Sequence, residues 1–131
     1  MRLLPRRLSK GATAAAERRK REALRVRWEE HMGKMPPTAS KHPDLVELRA
    51  RLAEYDARAS RYVGAVLMEH ADGVEPPIVG MGDLALEMAS LMESHPDDKE
   101  ELRFYIHEFT EASALVMEVA RLQRASVQPP A

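Results

Sequence analysis

Between Asp44 and Ala71, apolar residues recur in alternating steps of three and four: Leu45, Leu48, Leu52, Tyr55, Ala59, Tyr62 and Val66. That spacing puts them on one stripe of an α-helix. Glu47, Arg49, Arg51, Glu54, Asp56, Arg58 and Arg61 fill the opposite face with charge. The same period returns at Leu102, Tyr105, Phe109, Ala112, Val116 and Val119, widened by Leu115 and Leu122, and predicts a last helix over residues 98–125. Between the two, Leu84, Met88 and Leu91 or Met92 predict a short helix from Asp83 to Ser94. Pro96 stops it, and Asp97 with Glu100 has the spacing of a new helix start. Ahead of them, residues 13–32 are expected to be helical because Ala14, Ala15, Ala16, Glu17 and Arg18 are good formers. Only Leu24, Trp28 and Met32 align there, so the first half of that helix has no apolar face to bury. It is predicted to project from the body or to rest on an acidic partner.

The connectors carry their own signals. Gly33 and Pro36-Pro37 end the first helix, and residues 35–42 read as a linker. Pro43 suits a first helical turn, and Asp44 with Glu47 has capping-box spacing. Gly64 marks either a close approach of another helix or a weak point, and Gly73 is the expected C-cap of the main helix. Residues 73–82 hold too much Pro and Gly for a helix, yet include Val74, Ile78, Val79 and Met81. Such a loop is expected to fold back over the helix ends, the other reading being an exposed docking segment. The fold class that follows is all-α, an antiparallel helical bundle of two long helices plus a short helix and an N-terminal basic helix. Each long helix, at about 26 to 28 residues, spans roughly 40 Å. That is long for one small domain and predicts self-association or burial in a larger assembly.

A chain of 131 residues, 44% apolar, has room for one domain with a real core. Aromatics are 5% and methionines number eight, so the core is expected to be mostly aliphatic. The absence of cysteine excludes disulfides, thiolate metal sites and a cysteine nucleophile. No apolar run approaches the roughly 20 residues of a membrane-spanning helix.

Charge changes the picture more. Residues 1–27 hold ten Lys or Arg against two acids, a net +8, and the remainder holds ten against nineteen, a net −9. The chain therefore divides into a basic arm at 1–27, a helical bundle domain at 28–125 and an end at 126–131 expected to be disordered. Residues 1–16 are Arg- and Ala-bearing and free of acids, the composition of a mitochondrial transit peptide. Pro5 and Gly11 interrupt any long amphipathic helix there, and a cationic tail that is never cleaved is the other reading. The first would place the protein in the mitochondrial matrix, the second in the cytoplasm.

Candidate chemistry is sparse. His31, His42, His70, His95 and His107 include no i, i+4 pair of the kind a helical zinc site uses, and His42 and His95 each precede a proline at a helix boundary. His107 with Glu111, beside Glu108 and near Glu118, is the best carboxylate–histidine set, but the paired motif of carboxylate bundles is absent. No metal or cofactor is expected. Gly80-Met81-Gly82 lacks the preceding strand and the lysine of a phosphate loop, and no nucleophile–base pair stands out, so no enzyme is expected.

The arm is the stronger lead. Arg18, Arg19, Lys20, Arg21, Arg25 and Arg27 are dense enough to neutralise phosphates or an acidic protein face, and the run 18–21 also has the form of a nuclear localisation patch. Trp28 could stack on a base, but it shares the stripe of Leu24 and Met32 and is expected in the core. The function expected is that of a non-enzymatic helical subunit of a larger assembly. Leu48, Leu52, Tyr55, Tyr62, Tyr105, Phe109 and Trp28 would carry helix packing against protein partners, and the arm would hold an acidic surface. The alternative is a sequence-independent nucleic-acid-binding protein that grips RNA or DNA with the arm and dimerises through the bundle.

Overall fold

The computed structural model describes residues 10–32 and 40–127, and every regular element over them is helical. The order is α1 (Lys10–Met32), α2 (Pro43–Leu67), α3 (Met81–Ser94) and α4 (Lys99–Val127), with one 3-10 turn at Pro96–Asp98. No strand occurs among the described residues. Most of the transit-peptide segment, the Pro36-Pro37 linker and residues 128–131 lie outside the described residues, while Ser126 and Val127 continue α4.

Local chemistry sets the helix ends, in places differently from the sequence expectation. Pro43 does stand at the start of α2, but the N-cap is His42 rather than Asp44. A proline pushes the residue before it into extended backbone; His42 has φ −63° and ψ 132°, and its Nδ1 accepts from the Asp44 N–H at 3.2 Å. Asp44 and Glu47 therefore lie inside the helix and form no capping box. The helix ends at Leu67, short of Ala71. His70 takes up a left-handed conformation at φ 53°, and the Ala71 N–H reaches back to the Ala65 carbonyl at 2.9 Å. Gly73 is thus a loop residue at φ 80° and not the cap. Gly80, at φ 94°, is the N-cap of α3 and starts that helix at Met81, two residues earlier than expected. A Cβ built on Gly64 would meet nothing within 4 Å, so no helix approaches closely there.

Named contacts give the helix directions. Along α2 and α4, Asp44 lies beside His95, the Ser40 N–H donates to Glu101, Tyr55 packs on Phe109 and Tyr62 bonds to Gln123. The two longest helices therefore run the same way. α1 runs opposite to both, with Arg21 at Val66, Trp28 at Ser60 and Arg27 at Glu118. α3 also opposes α2, with Glu87 at Arg51.

The stripes meet in one core. Leu45, Leu48, Tyr55, Ala59, Tyr62 and Val66 of α2 face Leu102, Tyr105, Phe109, Ala112, Val116 and Val119 of α4, and all are buried. Leu24 and Trp28 close the core from α1, and Leu84, Met88 and Leu91 from α3. Each large side chain buried this way contributes about 1.5–3 kcal/mol. The loop after α2 divides the two readings of it: Val74 and Met81 pack on the core, while Ile78 and Val79 stay exposed.

Candidate functional site

α1 changes character along its length. Ala14 and Glu17 to Lys20 are exposed while Ala15 is half-buried, and among the described residues the hydrogen bonds from α1 to α2 start at Arg21, whose guanidinium donates to the Val66 carbonyl at 2.5 Å. That bond serves one of the carbonyls left without a partner at the end of α2. Deeper in, Leu24 and Trp28 are buried, and the Trp28 indole N–H donates to Ser60 Oγ at 3.1 Å. Trp28 is therefore a core residue and offers no face for stacking on a base.

The six cations of the arm divide. Arg18, Arg19 and Lys20 are exposed and form no ion pair among the described residues. Arg21 lies on the end of α2, Arg27 pairs with Glu118 at 3.0 Å, and Arg25 is gripped by Glu22 and Glu29. The Arg25 contact holds the Glu22 carboxyl below its ordinary range. Other cations stand at the same end of the molecule. Arg121 shares with Lys20 and Arg27 a groove of about 400 Å³ between α1 and α4. Arg58 and Arg61 line another of about 430 Å³ beside Tyr62, Pro76 and Pro77. Arg124 is near enough to Tyr62 to oppose the upward push that burial gives its phenol. In the sequence, Arg58 and Arg61 read as part of the charged face of one helix and nothing marks Arg121 or Arg124, because only the packing gathers them.

At the other end of α1, the buried stripe turns to His31 instead of Met32, which is 39% exposed. His31 is 5% exposed, packs its ring 5.2 Å from that of Trp28, and sets Nδ1 3.1 Å from Glu108 Oε1 and Nε2 3.8 Å from Asp56 Oδ1. Asp56 first, then Glu108 and Glu111, raise its pKa against the opposing effect of burial. A cavity of about 40 Å³ beside it is lined by Leu52, Phe104, Tyr105 and Phe109, room for about one water molecule. Both ring nitrogens face carboxylates, so the arrangement suits an imidazolium held between acids better than a proton-transfer base.

The sequence singles out the acids of this cluster, Glu108 and Glu111, but pairs them with His107. His107 stands 63% exposed with its Nε2 3.6 Å from Glu111. The signal for His31 is its place three residues after Trp28, on the inner side of the same stripe.

Leu48, Tyr55, Tyr62, Tyr105, Phe109 and Trp28 are all buried in the chain's own core, and Leu52 packs half-buried against it. Among the described residues the most exposed large apolar side chains are Val79, Leu86 and Met68. No helix among the described residues is long and apolar enough to cross a membrane. No protein family model, curated protein or solved structure matches the chain.

Proposed function

We propose that this chain is a non-enzymatic helical accessory subunit that anchors to an acidic surface of a larger assembly through the cationic end of the molecule. The observation that carries the reading is the exposure of Arg18, Arg19 and Lys20, which form no ion pair among the described residues, just ahead of the Arg21 bond that ties α1 to α2. A helix end with no large apolar side chain and three exposed cations beside the single acid Glu17 gains little from its own fold, and gains from an acidic partner. A helical bundle in which successive helices run antiparallel would hold that end rigid. Docking of partner helices would fall to Met68, Val79 and Leu86, since the long stripes serve the subunit's own core. The expectation of self-association loses its motive for the same reason.

The test compares the full chain with an Arg18→Ala/Arg19→Ala/Lys20→Ala variant, by fluorescence anisotropy on a labelled polyglutamate peptide and on random-sequence RNA and DNA across a salt series. Tight, salt-sensitive binding to the acidic peptide that the variant loses supports the reading. Binding of neither polyanion by the full chain sinks it.

A second reading, sequence-independent nucleic-acid binding, is favoured by the gathering of cations from three helices at one end. With Trp28 buried, contact would be to phosphates rather than bases. Its mark is selective uptake of RNA or DNA over the peptide, with a salt slope that falls by about 2–3 when the three cations are removed.

A further inference from the structure

His42 and His95 lie at the starts of two different helical segments, each followed by Pro-Asp, at Pro43-Asp44 and Pro96-Asp97. Because α2 and α4 run the same way, the two starts meet. The imidazole rings pack edge to face with centroids 4.1 Å apart. One carboxylate oxygen, Asp44 Oδ2, lies 3.2 Å from His95 Nε2 and 3.9 Å from His42 Nδ1. We propose that His42, Asp44 and His95 bind one divalent transition-metal ion, zinc by preference, which joins the start of α2 to the turn before α4.

The donor set carries the choice of ion. Two imidazoles and one carboxylate favour zinc, copper, nickel or cobalt over magnesium and calcium, which want oxygen ligands throughout. Bonds of about 2.0–2.1 Å at tetrahedral angles put neighbouring donors about 3.4 Å apart. The two measured separations bracket that value, and one donor atom from each residue already falls within 4.8 Å of the others. Pro43 holds His42 in extended backbone, and Pro96 keeps His95 out of the helical region at φ −129° and ψ 70°, so both imidazoles project from restrained positions. Three protein ligands leave a fourth position open to water, as zinc sites with an exchangeable ligand do. The site is reachable, with His95 13% exposed and Asp44 56%.

One adjustment is required. His42 Nδ1 has a single lone pair and now accepts from the Asp44 N–H. An ion bound at that nitrogen would take the lone pair and release the N–H to water, trading the helix cap for a metal bond.

A zinc titration of the full chain, free of any histidine tag and followed by calorimetry, tests the proposal. One ion per chain is expected. His42→Asn keeps an oxygen to cap α2 while removing the imidazole, and it and His95→Asn should each weaken binding by at least ~10-fold. Circular dichroism should show unchanged helix in both variants. His31→Gln should bind as the native chain does, which separates this site from the His31, Glu108 and Glu111 cluster. In the unaltered chain, sub-stoichiometric cobalt should broaden the ring proton resonances of His42 and His95 before those of His107. No binding, undiminished binding in the His42→Asn/His95→Asn double variant, loss of binding in His31→Gln, or broadening that begins at His107 would each overturn it.

Discussion

Tyr62 donates its phenolic hydrogen to Gln123 Oε1 at 2.6 Å, in the buried seam between α2 and α4, and Gln123 in turn donates from Nε2 to the Val74 carbonyl at 2.9 Å. One amide thus ties two helices to the loop that follows α2, and both of its polar atoms are used. Gln123→Leu would leave a buried hydroxyl and a half-buried carbonyl without partners. Its expected cost is about 2–4 kcal/mol, against about 1 kcal/mol for Tyr62→Phe, where only the amide oxygen loses a partner. Urea unfolding of the two variants and of the double variant measures this. Coupling near zero between the positions would show that the bond contributes nothing of its own.

Tyr55 presents the opposite case. Its side chain is 1% exposed, its ring packs 5.1 Å from that of Phe109, and its hydroxyl has no hydrogen-bond partner among the described residues. Burial pushes the phenol pKa upward, as an environment poor in water must. Removing an unpaired buried hydroxyl while keeping the ring removes a desolvation cost and no contact. Tyr55→Phe is therefore expected to stabilise the protein by about 1 kcal/mol, visible as a higher urea midpoint with an unchanged slope. A loss of more than that amount would mean that the hydroxyl is bonded in solution.

His31 predicts a pH dependence. Asp56, with Glu108 and Glu111, raises the folded-state pKa above the ordinary value of about 6.5. A group raised on folding binds its proton more tightly in the folded chain, so its contribution is full below the unfolded pKa and fades as pH climbs through the folded one. Stability should fall as pH rises from about 6 through the folded-state pKa, and His31→Gln should flatten that part of the profile. Stability that rises over the same interval in the native chain, or a fall that His31→Gln leaves intact, would contradict the assignment.

Much of the fold was legible because it rests on period alone. Twelve stripe positions named above on α2 and α4, from Leu45 to Val119, are buried together. What period cannot express is partnership. A stripe shows that a face must be covered, not by what, and the stripes of α2 and α4 cover each other instead of a partner protein. Direction was hidden for a related reason: two long helices can pack either way, and the short α3 between them is what returns the chain to run α4 beside α2 in the same sense. His31 with Glu108, and His42 with His95, are distant in the chain, so no local spacing announces them. The helix ends were misjudged where a residue other than the favoured type took the special backbone, His42 at a cap and His70 at φ 53°.

The arm's electrostatic part and its structural part meet between Lys20 and Arg21. Arg18, Arg19 and Lys20 are exposed and form no ion pair among the described residues, so replacing all three by Ala is expected to change stability by no more than about 0.5 kcal/mol. Alanine is also a better helix former than either residue, which works against any loss. Arg21, one residue further, donates to the Val66 carbonyl and closes the end of α2. Arg21→Ala removes a charged donor from a partly buried acceptor and should cost about 1–2 kcal/mol. Thermal unfolding of the two variants side by side decides the matter. Equal destabilisation would place Arg18, Arg19 and Lys20 inside the cooperative fold, and their exposure would then say nothing about a partner. A stable triple variant beside a weakened Arg21→Ala would set the boundary between body and arm at residue 21, six residues short of the +8 segment's end at residue 27.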